Sequence, residues 1–543
     1  MIDPCAVRSA PTFSSRHWPL IASLIVFWLT MAAMLVLSLR LTSGHLIYPL
    51  DDTYIQMAMA KNSVLHDTWG VTRHGFSGSS SSPLWTLLIA GTYLLFGVNE
   101  VTPFVLSLLF GTVAVIVTYS VLSRHVSSQR WVLAVTLLSM LLTPLPPVAF
   151  LGMEHALHAA ISLGLLWLAA RTLGSAERLR PRDTMLLALL TVLLTAARYE
   201  GLFLALVVCV LFLVNRRFAP ALVVGTAAVV PPAAYGLWSL SKGSLFLPNS
   251  VLLKGSVPGL SVEGIVQTLF GYNAWTNAGK SPHLLLLVIV AVFLVMLRRL
   301  RKSGWSTSTY ALTLFVGTAV LHLSFAQAGW FYRYDAYLVL IALTAVTAAA
   351  WELRPAFRIN LFASPRRVAV VLFLALIFSP LVLRAARFLC TLPQATKNIY
   401  EQQYQMGCFL RRFYRDRSVA VNDIGAVSFL ADVKLFDIWG LANLELTRLK
   451  LHNQYSDELA LSRAKQESVQ IAMVYPEWFS SPAWIEVGQW RIRGNVTCAH
   501  ADVSICAVDS SATTELVRNL IAFAPDLPAN VEQSGRYTRQ PTR

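Results

Sequence analysis

Apolar residues run along this chain in long blocks. Between residues 101 and 385, stretches of 14–22 such residues follow one another, broken by short polar loops. A helix of about 20 apolar residues crosses a hydrocarbon core of about 30 Å. The pattern predicts spans at about 19–41, 101–122, 131–149, 154–172, 184–197, 201–214, 219–239, 283–298, 305–326, 335–352 and 367–383. The alternating segments of about ten residues that build a membrane barrel are missing. The expected fold is an α-helical polytopic membrane protein with about 11 spans.

After residue 384 the pattern changes. Polar residues return, and short runs such as Val419-Ala420-Val421 and Ile471-Ala472-Met473-Val474 alternate with helical stretches. We read residues 1–384 as the membrane domain and 385–543 as a soluble α/β domain. Its last ten or so residues, among them Gln533, Ser534, Gly535, Arg536, Gln540 and Pro541, read as a disordered tail. No internal repeat is visible.

Composition agrees. Of 543 residues, 55% are hydrophobic and 13% charged, which excludes a soluble globular domain, a disordered chain and a disulfide scaffold. Lys and Arg number 44 against 28 Asp and Glu, a net charge of +16. The excess sits in loops between spans, so it reads as the inside bias of a membrane protein and not as a nucleic-acid surface.

The same charges orient the chain. The apolar stretch 83–97 is short for a span. If it lies at the interface, one set of loops holds seventeen Lys and Arg, including Arg124, Arg130, Arg178, Arg180, Arg182, Arg298, Arg299 and Arg301. The opposite set holds seven: Lys61, Arg73, Arg198, Lys242, Lys254, Lys280 and Arg333. Letting 83–97 cross would invert every later loop. The expected topology has the N-terminus cytoplasmic and the soluble domain outside. The first apolar segment is longer than a signal-peptide core and reads as a retained anchor.

Chemistry concentrates in the first outside loop, about 42–100. It opens with Leu50-Asp51-Asp52-Thr53-Tyr54-Ile55 and continues to Phe76-Ser77-Gly78-Ser79-Ser80-Ser81-Ser82-Pro83-Leu84-Trp85. Asp51 fits the N-cap of a helix, with Asp52 in its first turn. Capping does not account for the pair or for the small-residue run after it. A carboxylate at a helix start can also act as general base for an incoming hydroxyl.

Other outside loops carry complementary groups: Gly152-Met153-Glu154-His155, Arg198-Tyr199-Glu200-Gly201, Pro248-Asn249 with Lys254, and Trp330-Phe331-Tyr332-Arg333-Tyr334-Asp335. The charged tripeptide 198–200 interrupts a 31-residue apolar run and predicts a tight turn between two short helices. Snorkelling explains single cations. A cluster on the otherwise cation-poor face suits an anionic lipid head group. Of the six cysteines, Cys498 and Cys506 are spaced either as a bridge across a hairpin or as two free thiols, and no Cys/His spacing suggests zinc.

These loops resemble the GT-C superfamily of membrane glycosyltransferases, most of all the branch with the bacterial arabinofuranosyltransferases. The likeness rests on Asp51-Asp52-Thr53-Tyr54-Ile55, on the closing Pro83-Leu84-Trp85 and on the later motifs in the same order. Asn422-Asp423-Ile424-Gly425-Ala426 and Asp437-Ile438-Trp439-Gly440-Leu441 resemble the first strand–helix–strand of the branch's outer domain. The chain departs from the arabinosyl branch at Phe76-Ser77-Gly78-Ser79-Ser80, which leaves the transferred sugar open.

The resemblance implies a polyprenyl-phosphate sugar donor, a glycan, lipid or protein acceptor, a bacterial inner membrane and no metal or other cofactor. By it, Asp51 is the base beside Asp52, with their order open, and Arg198, Lys254 and Arg333 neutralise the departing phosphate. Tyr54, Glu154, His155, Glu200, Asn249 and Tyr332 become contacts for sugar or phosphate. A transporter or flippase for a lipid-linked sugar would share the spans and the cations but would not need the acid pair. A scaffold binding wall polymer would leave the first loop unexplained.

Overall fold

The computed structural model describes residues 13–175, 177, 179–254, 267–268, 271–353, 365–479 and 483–538. Ten of the eleven predicted stretches each fall on one helix, and 131–149 is split at Thr143-Pro144 into Gln129–Leu142 and Leu145–Phe150. Among the described residues, seven helices are long and apolar enough to cross a membrane: Arg16–Leu41, Thr102–His125, His155–Gly174, Phe218–Ser241, Pro282–Leu300, Thr307–Phe325 and Ala336–Leu353. The other four stretches fall on Gln129–Leu142, Pro181–Ala197, Gly201–Val214 and Pro365–Ile399. The chain is a multi-pass membrane protein.

His155–Gly174 is the hub of the bundle, packed against Thr102–His125, Pro181–Ala197, Thr307–Phe325 and Ala336–Leu353. Its many Ala and Gly residues let those backbones approach, which is how helices associate without a hydrophobic drive between them. Pro83–Phe96 is 14 residues long. At 1.5 Å per residue that is about 21 Å, short of the hydrocarbon thickness.

The helix Asp51–His66 lies between the bundle and the outer domain. It is apolar or small on almost every side and buried to match, from Thr53 to Ala60 without a break. Leu50, not Asp51, is its N-cap, and no side chain caps it. Both acids stand in the first turn, where the helix dipole favours negative charge, and Asp51 is used elsewhere.

The C-terminal region carries a six-stranded sheet: β1 Ser418–Val421, β2 Lys434–Asp437, β3 Ile471–Val474, β4 Ile485–Arg491, β5 Asp502–Ala507 and β6 Glu532–Gly535. Their order is β2-β1-β3-β5-β4-β6. β2, β1 and β3 run parallel, whereas β5, β4 and β6 join antiparallel. The loops leaving β1, β2 and β3 therefore gather at one edge, and that edge meets the helix Asp51–His66. Pro365–Ile399 passes through 384–385 unbroken and continues through Tyr400–Tyr404 into Gln405–Phe413, so one helical rod joins the two regions.

One further expectation needs correction, and one open choice is decided. Residues 532–535 form edge strand β6, with Gln533 opposite Trp490, and Tyr537 is buried with its hydroxyl 3.1 Å from Trp490 Nε1. Those residues are no disordered tail: they close the sheet, and residues 540 and 541 lie outside the described ones. Cys498 and Cys506 are free thiols. Cys506 lies in β5 against Ala472 of β3, whereas Cys498 sits in the loop before that strand, bonded to Gln403 Oε1.

Candidate active site

Asp51 and Asp52 leave their helix in opposite senses. Asp51 reaches the outer domain. Its Oδ2 accepts from Gly425 N–H at 2.6 Å and its Oδ1 from Ala426 N–H at 2.8 Å, the first turn of the helix Gly425–Leu430. Burial, then the neighbouring Asp423, pushes Asp51 up to about 8, while the two amides pull the other way. Asp52 turns to the bundle, where its Oδ2 lies 2.5 Å from Arg333.

Arg333 and Arg198 flank one ring. Their guanidinium carbons stand 4.9 and 5.5 Å from the centre of Tyr334. Arg198 sits in the tight turn between Pro181–Ala197 and Gly201–Val214, as its sequence predicts. There it is bonded to Glu154 at 2.5 Å and in a fork to Glu200 at 2.5 and 3.1 Å. Burial opposes the charge on Glu200, but Arg198 overrides it and holds that carboxyl down at about 2. Among the described residues, Arg333 Nε is buried with no hydrogen-bond partner, a donor left for an incoming oxygen.

Two cavities meet at Asp52. The inner one, about 390 Å³, is bounded by Leu202, Phe203, Leu247, Val251 and Phe325, with Arg198, Glu200 and Arg333 at one side. The outer one, about 310 Å³, lies under the sheet edge and is lined by Asp51, Gln403, Asn422, Asp423, Trp439 and Trp478. Asp52, Ile55, Gln327, Tyr334 and Leu441 belong to both.

The remaining predicted residues stand behind these walls. Tyr54 is fully buried and its hydroxyl accepts from Tyr48 N–H. Glu154 backs Arg198, and His155 packs edge-on to Tyr334. Asn249 donates to the Leu441 carbonyl, which Ser79 also holds, and its own N–H bonds Gly78. The Tyr332 carbonyl takes Arg384. Lys254 ends the helix Asn249–Lys254, and its side chain lies outside the described residues.

Sequence reasoning passed over Asp335, Arg384 and His283. Asp335 is wholly buried between Arg384 at 2.7 Å and His283 at 2.6 Å. Together they pin the strained turn Trp330–Tyr332 that delivers Arg333, with Phe331 at φ 48° and Tyr332 at φ 58°. Arg384 was hidden because an arginine at the end of an apolar run looks like a snorkelling residue. Among the described residues, no three His, Cys, Asp or Glu side chains are grouped to share a metal ion.

A helical bundle with an acidic first loop, roofed by an α/β region, is the GT-C fold. Solved structures of that form match the chain. ArnT from Cupriavidus metallidurans in the apo state shares 14% identity and a TM-score of 0.51, over 89% of this chain and 98% of its own. The same protein bound to undecaprenyl phosphate shares 13% identity and a TM-score of 0.50, over 92% and 99%. The arabinofuranosyltransferase AftD from Mycobacteria shares 13% identity and a TM-score of 0.41, over 89% of this chain and 41% of that one. Residues 397–508 match a family model described as a domain of unknown function, DUF8728. No curated protein sequence matches the chain.

Proposed function

We propose that the chain is an inverting glycosyltransferase. It moves a sugar from a polyprenyl-phosphate donor to an acceptor hydroxyl at the periplasmic face of a bacterial inner membrane, in cell-envelope glycan assembly. The observation that carries this reading is the Asp52–Arg333 contact at 2.5 Å, set where an apolar cavity meets one lined by Asp51, Asp423, Asn422 and Gln403. The inner cavity suits a prenyl chain whose phosphate meets Arg333 and Arg198. The outer cavity suits an acceptor. The undecaprenyl phosphate bound to ArnT, a protein of the same fold, supports a lipid-phosphate donor.

In this reaction the acceptor oxygen attacks the anomeric carbon from the side opposite the phosphate. The new C–O bond forms as the anomeric carbon–oxygen bond to phosphate breaks, and that electron pair leaves on the phosphate. The acceptor proton passes to Asp51. Each Asp51 oxygen accepts one backbone N–H and keeps a second lone pair. Arg198 and Arg333 stabilise the charge growing on the leaving group. Asp52 keeps Arg333 aimed until phosphate replaces it.

The test is sugar transfer from synthetic polyprenyl-phosphate donors by purified wild type, Asp51→Asn and Asp52→Asn in lipid nanodiscs, with donor binding followed in parallel. Asp51→Asn is expected to lose about 100-fold or more in transfer and keep donor binding. Normal transfer by both variants would reduce the acid pair to a structural device, and donor bound but never transferred by wild type would favour a transporter.

A further inference from the structure

The outer cavity has an aromatic floor that the transfer chemistry does not use. Trp439 leaves the end of β2 and Trp478 the end of β3, so two separate loops bring them together. Their ring centres are 4.6 Å apart and their planes tilted by 31°, so the rings lie partly over one another and Trp439 backs Trp478. Both line the outer cavity, yet 36% of Trp439 and 41% of Trp478 stay exposed.

Neither ring hangs loosely. Asp437 accepts from Trp439 N–H at 2.8 Å and from Ala442 N–H at 2.7 Å, which fixes the first loop. Lys450 Nζ stands 3.7 Å from the Trp439 ring centre. In the second loop, Trp478 N–H bonds the Tyr475 carbonyl at 3.1 Å, and the Tyr475 ring meets Trp478 edge-on at 5.3 Å. Tyr475 hydroxyl and Gln403 Nε2 both donate to Asp423. Asn422 Oδ1 accepts from Tyr475 N–H at 2.7 Å. An exposed aromatic pair held this firmly is a surface prepared for a flat apolar face.

The other groups around it are carboxylates and amides: Asp51, Asp423, Asn422 and Gln403. One ligand class offers both a C–H face and a rim of hydroxyls, and that is a sugar ring. A lipid tail has no use for the acids, and an extended peptide has no flat face to stack. We propose that Trp439 and Trp478 form the subsite for a sugar ring of the acceptor, and that the acceptor is therefore a glycan chain. The ring stacks on Trp478, which Trp439 backs and Lys450 holds in place from beyond Trp439, while its neighbour presents a hydroxyl towards Asp51. This inference rests on the transferase reading above.

The experiment uses the full chain in nanodiscs with synthetic polyprenyl-phosphate pentose and hexose donors. Three acceptors are offered: oligosaccharides of three to six furanose or pyranose units, a serine-rich peptide and a glycerolipid. Transfer to oligosaccharide is expected, with an acceptor KM raised about tenfold or more in Trp478→Ala and Trp439→Ala. Trp478→Phe should recover most of that loss, and kcat should change far less than KM. Transfer only to peptide or lipid overturns the glycan subsite and leaves the transferase standing, as does an oligosaccharide KM indifferent to both substitutions. Donor left unconsumed in every arm removes the transferase reading and this subsite with it.

Discussion

The carboxylate of Asp51 accepts the backbone N–H of Gly425 at 2.6 Å, across 374 residues of chain. A Cβ placed on Gly425 would stand 2.1 Å from the Asp51 carbonyl oxygen and 2.8 Å from its Oδ2. The nearer neighbour is backbone and cannot rotate away, so Gly425→Ala must push the helix Gly425–Leu430 off the first loop. Transfer should fall about tenfold or more while donor binding holds, because the inner cavity is untouched. Unaltered transfer by Gly425→Ala would show that this docking is slack.

The pH profile follows from the same carboxyl. Asp51 is raised to about 8, by burial and then by Asp423. A base must be ionised, so transfer should climb with pH and level off above about 8. Stability should move the opposite way. From the ordinary carboxyl range up to about 8 the folded state holds a proton that the unfolded state has lost, so stability falls as pH rises through that window. Melting temperatures of wild type and Asp51→Asn between pH 5 and 9 check it: the Asn variant should show the shallower slope.

Arg198 is bonded to Glu154 and Glu200 in an almost dry turn. Truncation to Ala leaves the buried Glu154 carboxylate and the part-buried Glu200 without their cation. Breaking such a pair costs about 3–5 kcal/mol. Arg198→Ala should melt well below wild type and bind donor weakly, and Arg198→Lys should recover stability better than transfer because the fork is lost. Equal melting of Arg198→Ala and wild type would refute the assignment.

Arg384 touches neither cavity. It holds Asp335 and the Tyr332 carbonyl, and through them the turn before Arg333. Arg384→Ala should weaken donor binding about tenfold through Arg333 alone. A double mutant with Arg333→Ala tells whether that is so: the two losses should be far from additive.

Strand β6 gives a test of the sheet. Removing residues 532–543 strips the partner of β4 and the Tyr537 hydroxyl from Trp490. The truncated chain should be cut within the outer domain by protease concentrations that spare the full chain.

The spans were legible because hydrocarbon thickness imposes a length that shows in any window, and the turn at Arg198 because a charged tripeptide cannot continue inside an apolar run. β1 and β3 showed as β-branched and apolar runs. β6 did not, since Glu532-Gln533-Ser534-Gly535 is a polar edge strand with no apolar face to display. Asp51 and Arg333 drew attention in the sequence because charge in their loops is scarce. Their partners could not: nothing near Gly425 announces that its amide meets Asp51, and Trp478 joins Trp439 only once β2 and β3 are laid in register with β1. Asn249 shows the reverse, a polar residue in a suggestive motif whose amide serves a backbone carbonyl.

The bond between Asp51 and Gly425 also orders events in time. The ribosome makes the acid pair early and Gly425 hundreds of residues later, after the bundle has been inserted. Until that amide has docked, the cavity beside Asp51 has no roof and the nascent chain has no complete pocket. On the transferase reading proposed above, a half-made molecule therefore spends no lipid-linked sugar: catalysis waits for the region that carries Gly425 to fold.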